Sequence, residues 1–378
     1  MLDRTKYLRE LEELVNIDSG SYCREGVNRV QDWFAGRFAK LGFAIEWFEL
    51  APGKLGKSFL ATRSEARPFD LLILCHADTV FPEGEAAKRP FRVEGDHLRG
   101  PGVSDMKGGC LFVLHAMEEL LAGGAAMGNI GIFFNSEHEL SCPNTRPLIE
   151  KLSKASRMVI STEPTRANGA HIKQRKGIQQ YTFTFSGVEA HAGNNPQDGV
   201  CAVTELANWV LFLKSLQDLE NGISVNPGLI KGGMSINTVP KEAVMRVDIR
   251  TVSSADAMRI DKAVKSHPPF NPKASVRIEG GITRPPMVPN ALTERYCELG
   301  TRIGARYGIK VEWAFAGGGS DASFASGMGQ PALCALGPVG GGMHTEKEFL
   351  DLRDLEARYE EFRDIVREFS LADFSGAE

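Results

Sequence analysis

The sequence predicts an α/β protein whose main domain is a doubly wound, mostly parallel sheet, with an inserted α+β domain. Continuous apolar runs, typical of strands buried on both faces, alternate with amphipathic helical segments. Histidine and acidic residues follow the ends of these runs, where ligands collect in doubly wound sheets. After Gly177 strictly alternating segments replace the continuous runs, which predicts the insertion. With 378 residues the chain also exceeds one ordinary hydrophobic core.

The elements of the main domain are predicted from the spacing of their apolar residues. Helices show one apolar face and strands show continuous or alternating apolar residues. The predicted helices are residues 4–17, 26–41, 109–121 and 292–307, and the predicted strands are residues 43–50, 70–75, 130–134, 158–161 and 331–336.

The inserted domain is predicted from half-exposed strands and two helices. The strands are residues 181–185, 243–250 and 275–279, and the helices are residues 198–216 and 254–264. A proline-rich stretch at 283–289 returns the chain to the main domain. We therefore expect residues 1–177 and 283–378 to form the catalytic domain and residues 178–282 to form a lid or dimerisation domain.

Composition excludes several classes of function. The net charge of −4 comes from 44 basic and 48 acidic residues without a basic stripe, so no nucleic-acid partner is expected. No apolar run reaches 18 residues, and residues 1–10 lack the apolar core of a signal peptide, so no membrane association is expected. Seven dispersed cysteines without a CxxC pair favour a cytoplasmic location.

Five short segments together supply two histidines and three carboxylates, mostly just after predicted strands. Zinc and similar metals accept such a mixed set of nitrogen and oxygen ligands, and two metals that share one carboxylate would use all five. The segments are His76-Ala77-Asp78-Thr79, Asp105-Met106-Lys107-Gly108-Gly109, Glu137-His138-Glu139, Thr162-Glu163-Pro164-Thr165 and Gly342-Met343-His344-Thr345-Glu346.

These segments, together with the sequences RKG (175–177), EAHAG (189–193) and AGGGSDA (316–322), resemble the M20 family of metallopeptidases, in particular its glutamate carboxypeptidase branch. The resemblance implies a two-zinc catalytic domain and an inserted lid. It implies that one zinc is bound by His76, Asp105 and Glu163 and the other by Asp105, Glu139 and His344. Asp105 would bridge the two metals, and its peptide bond to Met106 is expected to be cis.

The same resemblance implies roles for residues around the metals. Asp78 would hydrogen-bond the ring of His76 and fix its tautomer. His191 would reach into the active site of a partner subunit in a homodimer and help to polarise the scissile carbonyl. Asn237 and Arg250 would hold the free carboxylate of the substrate, since arginine meets a carboxylate with two parallel hydrogen bonds. The loop Gly317-Gly318-Gly319 would lie beside the substrate.

His138 departs from the family pattern. Two acidic residues usually stand together at this place, the first as general base and the second as metal ligand, but here the pair is His138-Glu139. Histidine can shuttle protons, although two nearby dications disfavour the imidazolium form. A neutral ring could also bind a metal directly and block the water site. Three interpretations stay open: a hydrolase with a histidine base, a metal enzyme that performs lyase, epimerase or acyl-transfer chemistry, and a catalytically silent ligand-binding protein.

The sequence therefore predicts an M20-type amidohydrolase, similar to carboxypeptidases and aminoacylases. It would cleave an amide bond next to a free carboxylate, as in an N-acyl amino acid or a C-terminal residue, with His138 as general base. The expected cofactors are two Zn²⁺ ions per subunit, with Co²⁺ or Mn²⁺ as alternatives. The expected partners are a small amino-acid-derived or peptide substrate and a second copy of the chain.

Overall fold

The computed structural model describes residues 1–374, whose contacts divide the chain into two compact units. The first unit comprises residues 1–174, 287–316 and the chain from 320 onward. The second comprises residues 175–286 and also takes in the loop Gly317–Gly319, which the sequence division leaves in the catalytic domain.

The helices begin and end close to the limits of their apolar periodicity. Polar side chains cap several of them: Asp3 accepts from the backbone of Lys6 at the first, and Asn290 and Thr293 form a capping box at the eighth. They are α1 (Arg4–Val15), α2 (Arg24–Lys40), α3 (Glu85–Lys88), α4 (Gly109–Ala122), α5 (Arg146–Lys154), α6 (Ala202–Ser215), α7 (Ser254–Ser266), α8 (Ala291–Ala305), α9 (Ala322–Gly327) and α10 (Leu355–Leu371).

The strands form one six-stranded sheet, two four-stranded sheets and one two-stranded sheet among the described residues. They are β1 (Ala44–Phe48), β2 (Ser58–Thr62), β3 (Leu71–His76), β4 (Arg92–Glu94), β5 (His97–Arg99), β6 (Ile130–Asn135), β7 (Val159–Ser161), β8 (His171–Arg175), β9 (Gly177–Ser186), β10 (Ser224–Gly232), β11 (Glu242–Thr251), β12 (Ser275–Arg284), β13 (Trp313–Ala316), β14 (Ala332–Leu333), β15 (Gly340–Gly341) and β16 (Phe349–Asp351).

The main sheet of the first unit has the strand order β1-β2-β6-β3-β7-β14. The pairs β6–β3, β3–β7 and β7–β14 are parallel, whereas β1–β2 and β2–β6 are antiparallel. The predicted fold class, a mostly parallel sheet in an α/β protein, is therefore confirmed.

Strand β3 lies at the centre of this unit. Leu71, Ile73 and Cys75 pack into one hydrophobic cluster, while Leu72 and Leu74 pack into another. Because successive side chains point to opposite faces, the two clusters cover the two faces of the sheet. The parallel strands β3, β6 and β7 end at the same edge, where His76 closes β3 and Glu139 and Glu163 follow β6 and β7.

The second unit contains an antiparallel sheet of order β10-β11-β9-β12, with α6 and α7 against it. Its core is built around Trp209, which packs beside Phe183 and Phe185. The edge strand β10 escapes prediction because Pro227 and the following glycine interrupt its alternation, and its register shifts at that place. Among residues 1–374, no helix is long and apolar enough to cross a membrane.

Candidate metal centre

The structure brings the five predicted metal ligands together at the carboxyl edge of the parallel strands. His76, the last residue of β3, is buried, and its Nε2 atom lies 3.2 Å from Oδ1 of Asp105. Within the described part of the chain, neither atom has a hydrogen-bond partner, although both are buried. Ligands of one tetrahedral zinc lie about 3.3–3.5 Å apart, as bonds of about 2.0–2.2 Å require. This pair of polar atoms therefore fits a shared metal ion.

Asp105 faces a different histidine with each oxygen. Its Oδ2 atom lies 3.3 Å from Nε2 of His344, whose Nε2 lies in turn 3.4 Å from Oε2 of Glu139. On the other side, Oε1 of Glu163 lies 3.8 Å from Nε2 of His76. The carboxylate of Asp105 thus stands between two groups of candidate ligands, which is the arrangement that a bridging ligand requires.

A buried glutamate, Glu348, holds the backbone of Asp105. One carboxylate oxygen of Glu348 accepts from the backbone N–H groups of Ser104 and Asp105 at 2.9 Å each, and the other accepts from Gly102 at 3.0 Å. Asp105 has a non-helical backbone conformation, and its peptide bond to Met106 is cis, as expected. Glu348 therefore satisfies the donors that this irregular segment leaves outside a helix.

The electrostatics of the centre favour a cation. The hydrogen bonds and charges of Asp105 and Glu139 raise the pKa of His344 to about 10. Burial alone would lower the pKa of His76, but Asp105 and Glu163 outweigh it and the pKa is raised. Burial would raise the pKa of Asp105, but the two histidines hold it well below its usual range. The carboxylates thus stabilise positive charge at this place, as a binding site for dications must.

Asp78 does not make the hydrogen bond that the sequence analysis assigns to its side chain. Its backbone carbonyl contacts Nδ1 of His76 at 2.9 Å, whereas its carboxylate lies 3.6 Å from that nitrogen. The carboxylate instead accepts from the backbone N–H groups of His138 and Glu139 and from the hydroxyl of Ser21. These three donors, and not the imidazole of His76, orient the carboxylate of Asp78, so the prediction is corrected. Asp78 instead fixes the segment that carries His138 and Glu139.

His138 lies against the ring of His76. The two rings are stacked, with centroids 4.1 Å apart and planes within 4°. Nδ1 of His138 lies 2.9 Å from Oδ1 of Asp321, and Nε2 lies 3.3 Å from Oε1 of Glu163. His76, His138 and Glu163 also form a possible metal-binding group of their own. The ring of His138 therefore faces the candidate ligands with its Nε2 side.

The second unit holds the other predicted site residues. His191 is exposed, and its Nδ1 atom accepts from the backbone N–H groups of Gly193 and Asn194 at 3.1 Å each. The backbone carbonyl of Asn237 accepts from the residue after His191, so these two predicted residues lie on adjoining segments. Since Nδ1 of His191 is an acceptor, the neutral ring carries its hydrogen on Nε2 and can donate it outward.

Arg250 and the glycine loop also lie together in the second unit. Asp248 binds Nε and Nη2 of Arg250, while Nη1 lies 3.3 Å from the carbonyl oxygen of Gly317. The carbonyl groups of Gly318 and Gly319 accept from Arg175, which the sequence analysis leaves without a role. A Cβ atom at Gly319 would lie 2.5 Å from Cδ of Arg284, so a larger residue there would require that side chain to shift.

A cavity of about 420 Å³ opens beside Glu139 within the first unit. Apolar and aromatic side chains, including those of Tyr22, Val80, Phe81 and Leu140, supply much of its lining. Its ionisable lining residues include two glutamates but no lysine or arginine. The cavity therefore suits an uncharged group next to the candidate metal ligands.

Residues 72–368 match the family model described as peptidase family M20/M25/M40. The chain belongs to this family. It is 30% identical over 362 residues to carboxypeptidase G2 of Pseudomonas sp. (strain RS-16), covering 93% of this chain and 86% of that protein. It is 27% identical over 346 residues to succinyl-diaminopimelate desuccinylase of Gluconobacter oxydans, covering 86% and 88% of the two chains.

Solved M20 structures share the fold. An M20 family metallo-carboxypeptidase from Sulfolobus solfataricus matches with a TM-score of 0.76 at 18% identity, covering 98% of this chain and all of that one (100%). A dinuclear metal-binding M20 peptidase from Bacillus subtilis matches with a TM-score of 0.63 at 12% identity, covering 96% and 98%. The chain is thus an M20 family metallohydrolase with a possible metal-binding cluster.

Proposed function

We propose that this M20 protein is a two-metal amide hydrolase that cleaves the bond next to a free carboxylate, in an N-acyl amino acid or at a C-terminal residue. The observation that carries the proposal is the placement of Asp105, whose two oxygens each face a different histidine. His76, Asp105 and Glu163 would hold one metal, and Asp105, Glu139 and His344 the other. Zinc fits this mixed ligand set, and cobalt or manganese are the alternatives. When bound, the metals activate water and polarise the scissile carbonyl.

The residues of the first unit divide the remaining work. Asp78 holds the backbone of His138 and Glu139, so that the proposed proton acceptor and a proposed ligand keep a fixed relation. His138 takes the proton at Nε2 and returns it to the leaving amine. The cavity beside Glu139 receives the acyl part of the substrate, because its lining combines apolar side chains with the absence of a cationic one.

The residues of the second unit bind the other end of the substrate. Nη1 of Arg250 is the guanidinium nitrogen outside the pair with Asp248 and is proposed to meet the free carboxylate together with Asn237. Close approach of the substrate to the backbone of Gly317, Gly318 and Gly319 adds to this binding.

A homodimer is proposed to complete the site. Strand β10 is a sheet edge with Leu229 and Ile230 exposed, and α6 exposes Leu211, so a second copy has backbone and apolar surface to pair with. His191 of the partner subunit would donate its Nε2 hydrogen to the scissile carbonyl. Light scattering at micromolar concentration tests this, and a strict monomer would exclude the role of the partner's His191.

The decisive experiment is a panel of N-acyl amino acids and dipeptides, assayed with added zinc, cobalt or manganese. Wild-type protein should release the free amino acid, and Asp105→Asn should abolish release and lower the amount of bound metal. The matched variant His138→Glu restores the acidic pair. If both wild type and a fully metal-loaded His138→Glu protein are inert towards the whole panel, the hydrolase proposal is wrong.

One observation favours a second function. The imidazole at 138 is also suited to move a proton to or from carbon in a metal-bound amino-acid derivative. Incorporation of solvent deuterium into a candidate amino acid, without amide cleavage, would support that chemistry instead. Peptidase activity that appears only in His138→Glu would support it as well.

A further inference from the structure

We propose that Asp321 is a positioning residue which holds the ring of His138 with Nε2 directed at the metal centre. Asp321 and His138 together then occupy the place that a single carboxylate takes in the family pattern. The inference deepens the proposed hydrolase and rests on it for the chemical role of His138. The placement of the ring itself is a separate claim that can be tested without turnover.

The carboxylate of Asp321 is hydrogen-bonded at both oxygens. This side chain is buried at the start of α9, where Oδ1 lies 2.9 Å from Nδ1 of His138. Asn135 donates to Oδ2 at 2.7 Å, and the thiol of Cys142 donates to Oδ1 at 3.0 Å. Donors therefore converge on both oxygens, as they do around a carboxylate that only accepts. Nδ1 of His138 must then carry its hydrogen towards Asp321, and Nε2 is the nitrogen left for chemistry.

The ring of His138 has no alternative orientation of equal energy. One face of His138 is stacked on His76, and its backbone N–H donates to the carboxylate of Asp78 at 3.1 Å. A half-turn of the ring about its bond to Cβ would place carbon instead of Nδ1 against Asp321. That turn would leave a buried carboxylate oxygen without its strongest donor, which is costly at a buried site. The hydrogen bond thus selects one of two sterically similar ring positions.

In this orientation the ring of His138 faces a proposed metal ligand. Nε2 of His138 lies 3.3 Å from Oε1 of Glu163, a proposed ligand of the first metal. For a histidine that binds a metal, a carboxylate at the other ring nitrogen is a recurrent partner, and its loss typically costs about 10–100-fold in affinity or activity. We expect a loss of the same order for His138, which we propose as a base. Here the carboxylate belongs to Asp321 of the AGGGSDA segment, 183 residues after His138 in the sequence.

The test is a double-mutant cycle on the metal-loaded full chain. Asp321→Asn keeps the shape and should lower kcat about 10–100-fold while KM changes little, as expected when an orienting carboxylate is lost. His138→Gln should lower kcat further. The double variant should be no slower than His138→Gln, because Asp321 acts through His138. If the two losses multiply, Asp321 acts independently of His138 and the proposal is overturned.

The matched control is Ser323→Ala. Ser323 is buried in the same helix start, and no hydrogen bond to its hydroxyl is found among the described residues. This variant should keep wild-type kcat and metal content. Loss of kcat comparable to that of Asp321→Asn would show that any change in this helix disturbs the centre, which would overturn the specific role of Asp321.

A readout without turnover separates this inference from the proposed function. In metal-loaded protein labelled with ¹⁵N-histidine, the signals missing from His138→Gln identify the ring of His138. The hydrogen should reside on Nδ1 in wild type. A hydrogen on Nε2 would overturn the proposal even if Asp321→Asn fails to fold. A hydrogen on Nδ1 in a protein that cleaves no member of the substrate panel would support the positioning while removing the hydrolase function.

Discussion

We predict that Glu348→Gln lowers both the free energy of unfolding and the metal affinity, because Glu348 holds the backbone of Asp105. Glu348 accepts three backbone N–H groups, two at one oxygen and one at the other. A glutamine oxygen can keep the pair from Ser104 and Asp105, but its NH₂ group then faces the N–H of Gly102. One unsatisfied buried donor costs about 1–3 kcal/mol, whereas Glu348→Ala leaves three and should cost roughly 3 kcal/mol or more.

A competing effect keeps the glutamine variant at the lower end of this range. Burial and the neighbouring Asp105 raise the pKa of Glu348 to about 7 despite its backbone hydrogen bonds. The charge of Glu348 is therefore itself costly in the metal-free protein, and the neutral amide removes that cost. We expect Gln to be destabilising by about 1 kcal/mol and Ala by several times as much.

The assay is denaturant unfolding in the presence of a chelator, followed by titration of zinc or cobalt into each variant. Because Glu348 fixes the backbone of Asp105, metal affinity should fall about 10–100-fold in Glu348→Gln. The control is Glu346→Gln, which removes the same charge from an exposed position two residues earlier. Wild-type stability and wild-type metal affinity in Glu348→Ala would refute the reasoning.

Three further predictions follow from other parts of the molecule. Asp105→Asn should reduce bound metal from two equivalents to one or none by elemental analysis, and retention of two would exclude a bridging role. Burial opposes ionisation of Glu10, but the hydrogen bonds and charges of His115 and Arg37 together outweigh it and the pKa falls to about 2. Because this pKa lies below the unfolded value, the stabilisation is present above about pH 4.5 and is lost as the pH falls towards 2. The free energy of unfolding should therefore fall less steeply with decreasing pH in Glu10→Gln than in wild type. An unchanged pH dependence would contradict the pairing of Glu10 with His115 and Arg37. Val80→Arg, in the cavity beside Glu139, should improve kcat/KM for N-succinyl over N-butanoyl amino acids about two- to fivefold, as one added ion pair of about 0.5–1 kcal/mol permits, whereas Val93→Arg at an exposed strand should change neither substrate.

Much of the first unit could be predicted from sequence because local pattern and tertiary position agree there. The apolar run that becomes β3 is buried on both faces, and the segment after it carries His76 to the sheet edge. Parallel strands bring their carboxyl ends to one side, so the ends of strands distant in sequence, such as β3 and β7, lie close together. The cis bond at Asp105 and the gathering of the five ligands both followed from motif resemblance, since spacing alone does not encode them.

The parts that escaped prediction depend on contacts between distant segments. Glu348 and Asp321 stand inside or beside motifs that the sequence analysis quotes, yet a buried acid is indistinguishable from a solvated one until its donors are known. Asp78 was assigned the right neighbourhood and the wrong partner, because backbone N–H groups of His138 and Glu139 compete for its carboxylate. The interrupted strand β10 was missed for a local reason, the proline and glycine in its middle.

The proposed role of His138 depends on the negative charge of Asp321, which contacts the far side of its ring. A carboxylate in this position would bring its own negative charge to the metal centre, whereas a neutral imidazole brings none. Asp321 supplies that charge from the far side of the ring, 2.9 Å from Nδ1. In the proposed mechanism the ring of His138 lies between two carboxylates, with Nδ1 facing Oδ1 of Asp321 and Nε2 facing Oε1 of Glu163 at 3.3 Å. In our proposal Asp321 thus lets an imidazole serve as the base at position 138, because it holds Nε2 towards the metal centre.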